Sequence, residues 1–509
     1  MANLSTVERW RLIVPDDLYR QLHHHLFPGD HDEHGAVIVA GIAESKSEVR
    51  LLTREIFLAA DGIDYVPGKR GYRMLKAGFI ADRIAMCGTE KLAYLAIHNH
   101  SGYDSVQFSS DDLQSHRRGY PALLDIAQGM PVGALVLAEN AVAGSIWLSS
   151  ERQIELSEAV VVGGSRRRLT AAPIGQSQEC SPAYDRQTRL FGEAGQAILG
   201  RAKVGVIGLG GAGSLIAEYL GRLGVGSFVL VDPDRAELSN LPRLTGASHW
   251  DASGWLAGGR YSGWLTRLTR RFAKPKVLMA RRNILRANPH ARVEAIVGNF
   301  LEADIAARFT DCDYLFLAAD TMRARLLFNA IVHQYLIPGV QVGAKVQADR
   351  DTGEITDVFS VVRPVTPESG CLLCNGLISA AKLQEESISE RERRGQRYVD
   401  DPDIAAPSVI TLNAVAVAHA TNDFLFYMTG LRDPDVPKSF MRFHPRNRQV
   451  WSDEPRKSQT CLECGQGSRS RLARGDARRL PVIERTSVQR DERTSSAVPW
   501  YRRISGAKN

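Results

Sequence analysis

The stretch KVGVIGLGGAGSLIAEYLGRLG, residues 203–224, constrains the fold of this chain more than any other. It reads as a short apolar strand, a glycine turn and an amphipathic helix. Gly208-x-Gly210-x-x-Gly213 falls between strand and helix, where glycines permit a tight turn and close approach of backbone to a phosphate. SFVLVD, VEAIVGN and DYLFLAAD follow as further strand-length apolar runs separated by helical patterns. Strands alternating with helices predict an α/β fold whose sheet is mainly parallel and doubly wound. Asp232 ends the second strand, where a carboxylate can accept hydrogen bonds from ribose hydroxyls. An NAD-dependent oxidoreductase fits these features equally well.

The rest of the 509 residues divides around this unit. Residues 1–155 read as a separate α/β domain: PDDLYRQLHHHL has helical spacing, and AVIVAGIA, LAYLAIH and GALVLA are strand-like. Residues 156–183 are rich in Gly, Ser, Pro and Arg and read as a linker. The second domain spans 184–465, with an insertion of unclear period at 248–272, and a basic tail follows at 466–509. That tail holds eleven Lys and Arg against four Asp and Glu, which equals the whole chain's net charge of +7. The two domains together are therefore close to neutral, which argues against nucleic acid as the partner. With few apolar residues the tail reads as solvated and disordered, with protein docking as the alternative. No apolar run reaches the roughly 18 residues of a membrane span, and the N-terminus carries acids rather than a signal core. Seven cysteines, an odd number, point with these features to a reducing, cytoplasmic setting.

In LAYLAIHNHSGYDSVQFSSDDLQSH, His98 and His100 lie two apart at a strand end, so both imidazoles face one way. Asp112, in the first turn of the following helix, supplies a third ligand. Three protein ligands leave zinc an open position for catalysis; a pair of surface histidines is the plain alternative. The set resembles the JAB/MPN metalloprotease family: a Glu near the first core strand, then H-x-H, then S-x-x-D. The resemblance implies that His98, His100 and Asp112 bind catalytic zinc, that Glu33 is the general base, and that Ser109 steadies the oxyanion. It also implies cleavage of peptide or isopeptide bonds. The sequence departs from the pattern in a spacer one residue longer and in Ser101 replacing a proline. His23, His24 and His25 read as a solvated helix end.

Around the glycine turn, LVDPDRAELSNLPRL brings Asn240 and Arg243, Lys276 opens a helix, and Asp320 ends a strand. Cations and an acid gathered around phosphates suit adenylation, where charge develops on the α-phosphate and magnesium needs a carboxylate. The run from Tyr184 through Asp320 to APSVITLNAVAVAHA resembles the ThiF/MoeB-like superfamily of ubiquitin-activating enzymes. The resemblance implies that ATP is held on Gly208, Gly210, Gly211 and Gly213, with its ribose on Asp232 and its phosphates on Asn240, Arg243 and Lys276. It implies that Asp320 binds Mg2+, and that Arg186 reaches into a partner subunit's site, making a homodimer. The substrate implied is the C-terminal glycine of a ubiquitin-like protein.

Cys371-x-x-Cys374 and Cys461-x-x-Cys464 offer four thiolates at knuckle spacing, which predicts a closed structural zinc. The loop after the first pair, where many activating enzymes carry an acyl-accepting cysteine, holds none. Of the remaining cysteines, Cys312 reads as core, Cys87 lies in the other domain and Cys180 in the linker. The expectation is an adenylate passed to an external thiol or amine, such as a conjugating enzyme. The whole reads as a bifunctional enzyme that cleaves after, and activates, a ubiquitin-like protein. Sulfur-carrier activation for cofactor biosynthesis is the alternative within the family.

Overall fold

The computed structural model describes residues 7, 9–30, 32–67, 73–173, 181–252, 272–349, 352, 354–387, 408–433, 436 and 438–483. The N-terminal unit comprises β1 (Trp10–Pro15), α1 (Asp16–Leu26), β2 (Gly35–Glu44), β3 (Val49–Leu58), α2 (Ala77–Glu90), β4 (Ala93–Asn99) and α3 (Ser110–Ile126), then β5 (Val132–Leu137), β6 (Val142–Ser149), β7 (Arg152–Val162) and β8 (Arg166–Leu169). The strands hydrogen-bond in the order β1-β3-β2-β4-β5-β6-β7-β8. Parallel pairing of β1 with β7 closes the first seven into a ring. Closure removes both edges, and alternate residues of these apolar strands fill the interior.

The boundary expected at residue 155 is corrected by β7, which runs through it. The supposed linker carries the end of β7 and all of β8. The arginines of β8 gave it a loop-like composition, yet Arg166 ion-pairs with Asp313 and Arg168 with Glu158. Only 170–183 remains as a connection, and Cys180 within it lies outside the described residues.

The second unit begins with α4 (Asp185–Arg201), β9 (Lys203–Ile207), α5 (Gly211–Arg222) and β10 (Ser227–Val231), followed by α6 (Lys276–Ala287), β11 (Arg292–Ile296), α7 (Ala303–Ala306) and β12 (Tyr314–Leu317). It continues with α8 (Met322–Gln334), β13 (Gly339–Ala348), β14 (Ile355–Val365), α9 (Ala380–Ser387), α10 (Ile410–Thr429), β15 (Phe440–His444) and β16 (Gln449–Asp453). The sheet order is β11-β10-β9-β12-β13-β14-β15-β16. The first five strands are parallel and the last three antiparallel. The chain reverses direction across the sheet between β9 and β12, and a crevice opens at the carboxyl ends of strands at such a switch point.

One apolar cluster spans both units, packing Leu52 and Val160 with Phe309, Leu315 and Leu336. The expected disordered tail is corrected over its first part. Leu472 and Ala473 are buried, and the Asp476 amide donates to the Ile42 carbonyl at 2.7 Å. Arg471, read as solvated, lies buried against Glu463 at 3.2 Å and donates to Gln334 Oε1 at 2.6 Å. Residues 484–509, most of the 248–272 insertion and the loop at 388–407 lie outside the described residues. Among the described residues no helix is long and apolar enough to cross a membrane.

Candidate functional site

The glycine turn sits at the switch point. Gly208 has φ 86°, and a Cβ there would lie 3.0 Å from the Ala319 nitrogen, so the turn is folded against the loop that carries Asp320. At Gly213 a Cβ would fall 1.8 Å from the Gly208 carbonyl oxygen. Strand and helix can meet this closely only without a side chain. Asp232, just past β10, is buried; its carboxylate accepts from the Leu209 amide at 2.6 Å and the Asp234 amide at 2.8 Å. Burial raises its pKa, against the pull of Lys276 and these two amides. Asp232 therefore braces the turn from below.

The predicted polar residues converge here. Arg243 lies over the turn, its Cδ 3.4 Å from where a Gly211 Cβ would stand, and its guanidinium donates to the Ser239 carbonyl at 3.0 Å. Asn240 ends a short 3-10 turn, with Ser239 Oγ 3.4 Å from its amide. Lys276, at the start of α6, pairs with Asp234 at 2.7 Å. Asp320 follows β12 and is exposed. Arg186 is not brought to this group. It sits exposed on the first turn of α4, next to Gln187, whose amide donates to the Leu223 carbonyl at 3.2 Å. That contact is at the far end of α5 from the turn, about 18 Å along a helix of this length. Asn413 was not anticipated: it is buried at the start of α10, its Nδ2 2.4 Å from a Gly211 Cβ position. Its signal was an amide in the apolar first half of this helix.

The second constellation forms at the carboxyl end of β4. The potential ligand atoms of His98, His100 and Asp112 all lie within 4.8 Å of one another. His98 Nε2 is 3.1 Å from His100 Nε2 and 3.4 Å from Asp112, and His100 Nε2 is 3.3 Å from Asp112. His100 Nδ1 bonds the Gln107 carbonyl at 3.1 Å, which orients the ring with Nε2 inward. Burial works against the Asp112 carboxylate, yet hydrogen bonds from His100, His98 and Ser109 hold its pKa well below the usual range. Glu33 lies 3.7 Å from His100 Nε2; burial raises its carboxyl above the usual range, offset by His98 and His100. Ser109 caps α3: its hydroxyl donates to Asp112 Oδ2 at 2.7 Å and accepts from the Asp112 amide at 3.1 Å. Its one proton is thus directed at the carboxylate. Asp32 pairs with Arg73. The α1 histidines are less solvated than expected, with His23 2.8 Å from Glu139 and His25 3.1 Å from the Gly35 carbonyl.

The four knuckle sulfurs also lie within 4.8 Å of one another, with Cys371 to Cys461 at 3.8 Å and Cys374 to Cys464 at 3.6 Å. Sulfurs about 2.3 Å from a central zinc stand about 3.8 Å apart in a tetrahedron, so this set fits the ion. Cys87 is buried, and burial pushes its thiol up to about 12; Cys312 is raised further by burial, as a core cysteine should be.

A mainly parallel sheet with a glycine turn at its switch point, beside a four-thiolate knuckle, defines an α/β protein of the doubly wound class. The ThiF family matches residues 184–464, more than half of the chain, and the chain belongs to that family. It is 31% identical over 175 residues to the molybdopterin-synthase adenylyltransferase of Escherichia coli (strain K12), covering 34% of this chain and 61% of that protein. It is 29% identical over 285 residues to the sulfur carrier protein ThiS adenylyltransferase of Bacillus subtilis (strain 168), covering 55% and 71%. The ubiquitin-like modifier-activating enzyme 5 of Drosophila willistoni is 24% identical over 201 residues, covering 37% and 42%. The first two relatives are spanned over only 61% and 59% of their own length. A crystal structure of E. coli MccB with succinimide aligns at TM-score 0.42 and 18% identity, covering 56% of this chain and 75% of that one.

Proposed function

We propose that the ThiF unit adenylates the C-terminal glycine of a ubiquitin-like protein. A carboxylate oxygen of that glycine attacks the α-phosphorus of ATP, the bond to the bridging oxygen breaks, and pyrophosphate leaves. The supporting observation is the convergence of the glycine turn, Asp232, Arg243 and Asp320 at the switch point in a chain of this family. Backbone amides of the turn and the start of α5 face the phosphates. Arg243, Lys276 and Asn240 offset the charge that grows on them. Asp320 is the carboxylate suited to hold Mg2+ against the phosphates. Arg186, one length of α5 from the turn, serves the site of a second copy, so the working form is a homodimer. Asp320→Ala should abolish exchange of pyrophosphate into ATP.

The N-terminal unit, in the same proposal, cleaves the bond after such a glycine. The supporting observation is the meeting of three ligand atoms within 4.8 Å, with Glu33 beside them. His98, His100 and Asp112 would hold zinc, which supplies a Lewis acid for the scissile carbonyl and acidifies water. Glu33 takes the proton from the attacking water and returns it to the leaving amine. Ser109 fixes Asp112 and stands next to the developing oxyanion. Glu33→Ala should stop cleavage of a C-terminally extended ubiquitin-like precursor, and unchanged cleavage would remove the base assignment.

Because two of the relatives carry sulfur-carrier or molybdopterin-synthase names, sulfur-carrier activation stands as the second reading. The carrier that supports exchange decides between them. The adenylate is passed to an external thiol or amine, with a conjugating enzyme as the natural recipient.

A further inference from the structure

A cavity of about 820 Å³ lies between the two units, at the end of the sheet opposite the glycine turn. Lys203 opens β9, Ser227 opens β10 and Arg292 opens β11, and all three line it. A five-residue strand separates this end from the switch point by about 15 Å. The cavity is therefore separate from the glycine turn, and neither Glu33, His98, His100 nor Asp112 lines it.

Its wall is electrically unbalanced. Eight Lys and Arg side chains line it against four carboxylates. All four acids are already engaged. Glu48 pairs with Arg11 at 3.2 Å and with Arg50 at 2.5 Å. Glu158 takes Arg11 at 2.7 Å, Arg9 at 3.2 Å and also Arg168. Asp313 takes Arg166 at 3.2 Å, and Asp311 takes Lys203 at 2.5 Å. Arg201 and Arg292 are left over: both are exposed, and among the described residues neither has a carboxylate within ion-pair distance. Burial and Arg168 lower the pKa of Arg201, Glu158 raises it, and Arg166 and Arg9 lower it again, so cations outnumber acids among its neighbours. The cavity wall thus carries four more cations than acids, and an anion entering it meets two arginine forks that no acid occupies. The other wall is apolar, from Ala197, Ile198, Pro289 and Met428. The volume falls within the range of small-ligand sites, about 300–1,000 Å³.

We propose that this cavity binds a polyphosphate, inorganic or nucleoside-linked, with its phosphates on Arg201 and Arg292 and any organic body against Ile198 and Pro289. Arginine suits the task because its planar fork donates in pairs to phosphate oxygens.

The test is calorimetric titration of the full chain with inorganic tripolyphosphate, in an Arg243→Ala background that weakens the adenylation site. Saturable binding should persist in that background and should weaken at least about tenfold in Arg201→Glu/Arg292→Glu. Arg201→Lys/Arg292→Lys should retain binding within a few-fold, and the melting temperature without ligand should be unchanged in both. A nucleoside triphosphate binding more tightly than tripolyphosphate identifies a nucleotide ligand; equal affinity identifies the phosphate chain alone. The proposal is overturned if Arg243→Ala shows no saturable binding, if the charge reversal leaves binding unchanged, or if a triglutamate peptide binds in place of tripolyphosphate.

Discussion

Two glycines of one turn should respond to the same substitution in opposite ways. In Gly213→Ala the new methyl would sit 1.8 Å from the Gly208 carbonyl oxygen, where ordinary contact begins at 3.4 Å. Backbone cannot yield as a flexible side chain can, so the turn must open by roughly 1.5 Å. Misplacing a reacting group by about 1 Å costs about 100-fold in rate, or about 2.7 kcal/mol. Gly210→Ala is different. A Cβ there meets nothing within 4 Å, and its φ of −74° lies outside the left-handed region that demands glycine. Only an approaching phosphate would meet that methyl. Pyrophosphate exchange and thermal melting separate the two. Gly213→Ala should lose at least about 100-fold in kcat/KM for ATP and melt earlier. Gly210→Ala should melt as the parent does and show its loss as a raised KM for ATP. An active Gly213→Ala with an unchanged melting temperature would refute the packing argument, as would an early-melting Gly210→Ala.

Further consequences concern the other centres. Glu33→Gln should slow cleavage by about 10²–10⁴-fold while bound zinc, measured by elemental analysis, stays constant. The parent should carry two zinc ions per chain: His98→Ala should lose one with little change in melting, and Cys464→Ser should lose the other and melt markedly earlier. Arg471→Ala strands the buried Glu463 carboxylate and should cost about 3–5 kcal/mol in a denaturant titration, whereas a solvated tail arginine would cost almost nothing. Incubation with ATP and a ubiquitin-like protein should give no DTT-sensitive adduct on this chain; an adduct removed by Cys180→Ala would contradict transfer to an external acceptor.

Local signals carried most of what was legible. The glycine turn, the strand ends at Asp232 and Asp320, and the H-x-H followed by S-x-x-D depend on neighbours only a few residues away, and the ligand atoms of His98, His100 and Asp112 lie together. What stayed hidden depends on distant partners. The arginines of β8 read as linker because their acids lie elsewhere, Asp313 just before β12 and Glu158 on β7. Residues 466–483 read as tail because Glu463, Gln334 and the Ile42 carbonyl, which hold Arg471 and Asp476, are not apparent from local composition. Ring closure through β1 and β7 is likewise a contact between the two ends of a domain. Asn413 escaped notice because its importance comes only from facing Gly211.

The measurement that bears most directly on the central claim is exchange of labelled pyrophosphate into ATP, with a panel of ubiquitin-like and sulfur-carrier proteins ending in glycine. Exchange should appear with one carrier, vanish when that carrier's terminal glycine is removed, and vanish in Asp320→Ala. Exchange with no carrier, or exchange that survives in Asp320→Ala, would contradict the account.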